Sequence, residues 1–123
     1  MNVEQQIYTV LAADSPVAAL VVSDGITRIY PMLMPPLTTM PAVSYQRVST
    51  VPQNGLSGHH SIDHVRVQID CWDDDYAGVK TLAAAVRTAM YTTPLFALPI
   101  MEIDDYDSEA KLFRVILDFN IWN

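Results

Sequence analysis

Three histidines and an aspartate are the nearest approach to a metal site in this sequence. His59, His60, Asp63 and His64 lie in one short segment. The spacing His-His-x-x-x-His is not a usual zinc-ligand pattern, and no pair of cysteines supplements it. If a strand begins at Ile62, the side chains of Asp63 and His64 also point to opposite faces of that strand. We therefore expect solvated loop histidines and no bound metal ion.

Cys71 is the single cysteine and the one thiol available for nucleophilic chemistry. It has no partner for an internal disulfide, and the nearest candidate base is His64. The alternation of a strand places residues 64 and 71 on opposite faces of the sheet, so this thiol and this imidazole cannot meet. The sequence therefore predicts a buried, unreactive thiol.

Acidic residues form two clusters, one before the central predicted helix and one near the C-terminus. They are Asp73, Asp74, Asp75 and Asp104, Asp105, Asp107, Glu109. A calcium loop would need a glycine at its sixth position and a closing glutamate, where this sequence has Val115 or Ile116. Helix capping and a solvated turn at residues 104–109 are the expected roles. Walker, G-x-S-x-G and H-E-x-x-H motifs do not occur in the sequence, so we expect no catalytic residues, no cofactor and no enzyme.

The composition limits the class of protein. Half of the 123 residues are hydrophobic and 17% are charged, which predicts a folded chain with residues 1–123 in a single domain. The formal net charge of −7 disfavours a broad nucleic-acid surface. No apolar run approaches the length of a membrane span, and Glu4 stands where a signal peptide would carry lysines.

Apolar periodicity predicts the order α-(α)-β-β-β-α-β-β. The helices are expected at residues 2–13, 17–22 (a short turn) and from Asp73 or Asp74 to residue 90, with Ser15 as the N-cap of the short turn. The strands are expected at residues 26–30, 42–50, 62–72, 100–103 and 111–122, with a tight turn at Asp24-Gly25. This order predicts an α+β fold, an antiparallel sheet with helices packed on one face.

Two apolar surfaces are left over by this arrangement. Residues 31–41 contain four prolines yet are rich in methionine and leucine, so this loop either covers the edge of its own core or contacts a neighbouring subunit. The last strand is apolar on both sides. The candidate interface residues are Met32, Leu33, Met34 and Leu37 in the loop, and Leu112, Ile116 and Trp122 on the strand.

The segment between the second and third strands, residues 51–61, is long for a hairpin loop, and long loops are often functional. It is a candidate flexible partner-contact loop. Its residues include Gln53, Asn54, Gly55, Leu56, Ser57, Gly58, His59 and His60.

Several strand segments, in order, resemble the tail completion (tail terminator) proteins of siphophages and related prophages. They are Arg28-Ile29-Tyr30-Pro31, the segment 41–49 (PAVSYQRVS), the segment 65–72 (VRVQIDCW), the helical 83–87 (AAAVR) and the closing 117–122 (LDFNIW). The resemblance covers nearly the whole chain from Ile7 onward. One departure is the apolar segment 32–37, where the family usually has small or polar residues.

The resemblance implies a structural protein of the virion tail that is assembled in the host cytoplasm. It would cap the head-proximal end of the tail tube, end tube assembly and join the tail to the head connector. It also implies a hexameric homo-oligomeric ring that contacts the tail tube protein and the connector or stopper protein, with DNA only in transit through the lumen and no membrane contact. The alternatives are a head-completion (stopper or adaptor) protein, and a small ligand-binding or hydrolytic α+β domain.

Overall fold

The computed structural model describes residues 2–54, 61–92 and 95–122. Helix α1 (Val3–Ala13) begins with a capping box in which Asn2 and Gln5 exchange hydrogen bonds of 2.8 and 3.1 Å. It buries Val3, Ile7 and Leu11, which follow helical spacing along one side.

Helix α2 (Ser15–Val21) starts after a single non-helical residue. The prediction that Ser15 is its N-cap is wrong, because Asp14 holds that position and its carboxylate accepts the Val17 N–H at 3.2 Å. Asp14 is extended and ends α1 as well, so Ser15 is already helical.

The predicted strand at residues 26–30 is divided into two. Strands β1 (Val22–Ser23) and β2 (Ile26–Thr27) form a small hairpin, and β3 (Ile29–Pro31) belongs to the main sheet. Arg28 separates β2 from β3. Its buried guanidinium donates to the Pro41 carbonyl, the Ser23 hydroxyl and the Leu20 carbonyl, which fixes the bend between them.

The main sheet has the order β3-β4-β5-β7-β6. Its long strands are β4 (Ala42–Asn54), β5 (Ser61–Asp73), β6 (Leu98–Asp107) and β7 (Leu112–Trp122). These four pair antiparallel, whereas β3 pairs parallel to β4, a detail that the expected all-antiparallel sheet lacked. The α+β class and the predicted element order are otherwise confirmed.

Strand β6 is longer than predicted, and this corrects the acidic turn at residues 104–109. Asp104, Asp105 and Asp107 lie in the strand, and the chain turns after Asp107, whose carboxylate accepts the N–H groups of Glu109 and Ala110. Lys80 pairs with Asp104 at 3.0 Å, so the acidic strand is partly neutralised in place.

Helix α3 (Tyr76–Met90) is capped by Asp75, which accepts the Gly78 N–H at 2.9 Å. The expected caps, Asp73 and Asp74, are therefore wrong. Asp73 is still the last residue of β5, and its carboxylate accepts the Asp74 N–H at 2.8 Å. The three helices and one face of the sheet enclose the hydrophobic core.

Candidate assembly surfaces

The face of the sheet that is turned away from the helices carries the even-numbered side chains of β5 and β7. The odd-numbered residues, such as Val67 and Phe119, are fully buried in the core, as the alternation predicts. On the open face, Arg66 pairs with Asp118 at 2.9 Å, and the Arg114 guanidinium lies 5.1 Å from the ring centre of Trp72. This face is therefore a mixed surface in which charges are matched in pairs.

Leu112, Ile116 and Trp122, which we call the C-terminal patch, lie on this open face. Leu112 and Ile116 are half-buried, and Trp122 is 54% exposed. The Trp122 ring stacks on the ring of His64, with centroids 4.4 Å apart. A hydrogen bond of 2.7 Å joins His64 Nε2 to Asn120 Oδ1. His64 thus holds the exposed indole in one orientation.

Strand β6 widens the C-terminal patch with residues that the sequence did not single out. Ile103 is directly opposite Ile116, and Met101 is opposite Asp118. Both are about two-fifths exposed. In the sequence, Met101 and Ile103 alternate with acidic residues, which indicates that they share one face of the strand. A register shift between Pro99 and Met101 interrupts the alternation, so the sequence does not show which face of the sheet this is.

The segment 32–40, here called the Met-Pro loop, presents large apolar side chains to solvent. Met32, Leu33 and Leu37 are 64%, 83% and 102% exposed. Met32 and Leu37 have positive φ values of 64° and 60°, a conformation that costs a residue with a Cβ roughly 1–2 kcal/mol. Only parts of the Met-Pro loop cover the core of the same chain. Met34, which is half-buried, is one of them.

The Met-Pro loop and the C-terminal patch meet at one groove of about 380 Å³. Its lining residues are Met34, Pro35, Pro36, Leu37, Thr38, Met40, Ala110 and Leu112. Leu112, the first residue of the C-terminal patch, is thus a neighbour of the Met-Pro loop, whereas Trp122 lies at the other end of β7.

The predicted partner-contact loop is only partly within the described residues. Gln53 and Asn54 are the last residues of β4, and Asn54 is paired in register with Ser61 of β5. The strands therefore extend further than predicted. Gly55, Leu56, Ser57, Gly58, His59 and His60 lie outside the described residues.

The candidate chemistry does not come together. Cys71 is fully buried on the core face, and burial raises the pKa of its thiol well above the ordinary value. His64 lies on the opposite face with Trp122. Over residues 2–54, 61–92 and 95–122, no group of three or more His, Cys, Asp or Glu side chains is placed to hold a metal ion.

Most basic side chains are engaged with carboxylates of the same chain. Arg47 pairs with Glu4 at 2.6 Å, Lys80 with Asp104 at 3.0 Å, and Arg87 with Glu102. These contacts, with the net charge of −7, leave little free positive charge at the surface. None of the helices in the described part of the chain is both apolar enough and long enough to cross a lipid bilayer.

Exposed apolar surfaces such as the Met-Pro loop indicate contacts with other proteins. The family model for tail completion protein gp17 matches residues 5–123, so the chain belongs to this family. The family inferred by resemblance is confirmed, and the protein is a structural tail completion protein of the phage virion.

A chain from a solved structure titled "Virion of native gene transfer agent (GTA) particle" has the same fold. Its TM-score is 0.71 at 22% sequence identity, over 94% of this chain and 90% of that chain. At this level of identity the likeness establishes the fold alone. No curated protein matches the sequence.

Proposed function

We propose that the protein, as a single domain over residues 1–123, forms a homo-oligomeric ring at the head-proximal end of the tail tube. The ring caps the tube, stops its growth and provides the surface that joins the tail to the head connector, while DNA passes through the lumen. The protein performs this role by binding and without catalysis.

The observation that carries the proposal is the amount of apolar surface that one chain leaves uncovered. Leu33, Leu37 and Trp122 are more than half exposed. Exposed apolar patches of this kind mark interfaces. A ring needs two different patches that meet across each boundary, and the Met-Pro loop and the C-terminal patch are candidates for them.

Ion pairs within the chain are compatible with DNA passing through the ring. With most of its cations held by carboxylates, a ring of this protein would present a neutral or acidic lumen, which does not retain phosphates. Residues Gly55 to His60, which connect β4 and β5 along the chain, are the part that we assign to the contact with the tube or the connector.

The test uses Leu33→Asp and Trp122→Ala, one substitution in each candidate surface. Because both side chains are exposed, each variant should keep the wild-type melting temperature. Each should lose most of its ring formation and tail-tube binding, measured by electron microscopy of the protein alone and with purified tubes. Thr81→Asp, on the exposed side of α3, is the matched control and should assemble normally.

Two results would contradict the proposal. Wild-type protein that stays monomeric at high concentration and never binds tube ends would remove the ring. Binding to portal-bearing heads in place of tubes would move the protein to the head side of the junction. Normal assembly of both variants would leave the ring in place and exclude these two surfaces from it.

A further inference from the structure

Strand β6 is an edge strand that is unpaired along one side for its whole length. It pairs only with β7 among the described strands. Leu98, Ile100, Met101 and Ile103 are each 42–46% exposed along it. A strand edge with unpaired backbone N–H and C=O groups can accept another strand.

The opposite edge of the same sheet is open as well, but over a shorter stretch. Strand β3 covers β4 only from Val43 to Tyr45. Beyond Tyr45, no strand of the described chain pairs with this side of β4. Val48 and Val51 are about half exposed there. Residues 46–51 are the open stretch; it ends at Pro52, which lacks an N–H group, and it contains a bulge at Val48, where the register with β5 shifts between Arg47 and Ser49.

Charge decides which edges fit each other. Strand β6 contains four acidic residues and no basic one, and β4 contains Arg47 and no acidic residue. Two β6 strands placed side by side would bring like charges together, which destabilises strand pairing. The edge of β4 has no such conflict, because Arg47 is matched by Glu4. The acidic edge of one copy therefore fits the β4 edge of another copy better than it fits itself.

The open face of the β4 edge offers an apolar neighbour to the side chains that β6 exposes. Val51 of β4 is opposite His64 of β5 and is about half exposed, and Ser49 is opposite Arg66, so both lie on the open face. Met101 and Ile103 of β6 lie on the open face as well. If the sheet continues across two copies, Met101 and Ile103 of one copy therefore lie on the same face as Ser49 and Val51 of the next.

We propose that β6 of one copy adds to residues 46–51 of β4 in the next copy, so that the main sheet continues across the subunit boundary. Because the two edges differ and lie on opposite sides of one sheet, the contact is head-to-tail, the kind of contact from which rings are built when the rotation between copies closes. This inference rests on the proposed ring function. The paired strand edges are a third contact, beside the Met-Pro loop and the C-terminal patch. We assign to this third contact the direction of assembly.

Disulfide cross-linking tests the contact directly. In the double variant Ser49→Cys with Ile103→Cys, the thiols replace exposed side chains on the same face of the two edges, and the native Cys71 is buried. Residues opposite each other across paired strands have Cβ atoms about 4.5–5.5 Å apart, within reach of a strained disulfide. Met101→Cys and Asp105→Cys, each combined with Ser49→Cys, sample the other registers of the same face.

Mild oxidation should convert at least one double variant into a ladder of linked dimers, trimers and larger species on a non-reducing gel. Each single variant should stay monomeric on that gel, as should the control Thr81→Cys. Dimers from the Ile103→Cys single variant would overturn the proposal in favour of a two-fold contact. Wild-type rings with no ladder from any double variant would overturn it and leave the ring function standing. The absence of wild-type self-association would overturn both.

Discussion

Asp70 and Cys71 are neighbours on β5 whose side chains point to opposite faces, and burial raises the pKa of both groups. For Cys71 the surroundings are the apolar core, which makes the thiol a packing residue. For Asp70 burial prevails over a hydrogen bond of 2.9 Å from Gln68 and over Arg114, 4.0 Å away, both of which lower the pKa of its carboxyl. Asp70 is therefore an unfavourably placed anion on the open face.

The raised pKa of Asp70 predicts how stability depends on pH. A carboxyl whose pKa is higher in the folded chain favours folding when it is protonated, so the free energy of unfolding decreases as pH rises from the ordinary carboxyl pKa through the folded value. Asp70→Asn removes the charge and should raise the free energy of unfolding at neutral pH. It should also flatten this decrease, as measured by urea unfolding from about pH 4 to about pH 8.

The matched control is Asp24→Asn, the same chemical change at an exposed turn residue. It should leave the free energy of unfolding at neutral pH close to the wild-type value. If Asp70→Asn lowers the free energy of unfolding at neutral pH, the interactions with Gln68 and Arg114 outweigh burial, and our assignment of Asp70 is wrong.

At the scale of the element, Gly78 in the first turn of α3 has no room for a larger side chain. A close contact, and not backbone flexibility, accounts for glycine at this position. A Cβ on Gly78 would overlap with the carboxylate of Asp73, which is 8% exposed and has little room to move. Ala normally stabilises a helix by about 1 kcal/mol relative to Gly. Here we expect Gly78→Ala to lower the free energy of unfolding by about 1–3 kcal/mol, the usual range for overpacking.

Chemical unfolding of Gly78→Ala beside Ala84→Gly measures this effect. Ala84 is exposed on the same helix, so its replacement should report the ordinary propensity loss of about 1 kcal/mol. A stabilised Gly78→Ala protein would mean that Asp73 moves aside at little cost. In the double variant Gly78→Ala with Asp73→Ala, the penalty for the alanine should be smaller.

Periodicity located the elements, but their ends depended on contacts that are distant in sequence. The alternation of Val65, Val67 and Ile69 assigned the faces of β5 correctly. Strand β6 was predicted too short because the four carboxylates from Asp104 to Glu109 indicate a turn. Lys80 of α3, which is distant in sequence, pairs with Asp104 in the strand. Runs of aspartate likewise hid which residue caps α3, since Asp73, Asp74 and Asp75 all have a suitable side chain.

At the scale of the whole molecule, the apolar composition of the candidate surfaces was readable from the sequence, but their arrangement was not. Met34 and Leu112 line one groove because the Met-Pro loop runs from the end of β3 back to the start of β4. That path follows from the parallel pairing of β3 with β4, which no local pattern indicates. The open edges of β4 and β6 are also properties of the strand order and not of either strand alone.

The last prediction concerns the connection between β4 and β5. Asn54 and Ser61 are paired in register, and replacing residues 55–60 by Asn-Gly would join them through a two-residue turn of the kind that hairpins favour. Since the core residues of the described segments belong to other parts of the chain, the melting temperature should change by no more than a few degrees. If these residues contact the tube or connector, rings should still form in electron micrographs, while the yield of infectious particles in a complementation assay falls at least ~10-fold, a loss of roughly 1.4 kcal/mol in binding.

A variant of the same length with Leu56→Ser and both His59 and His60→Ser separates side-chain contacts from loop length. Wild-type infectivity of the shortened protein would exclude residues 55–60 from tail completion and would leave the strand edges and apolar surfaces as the remaining contacts.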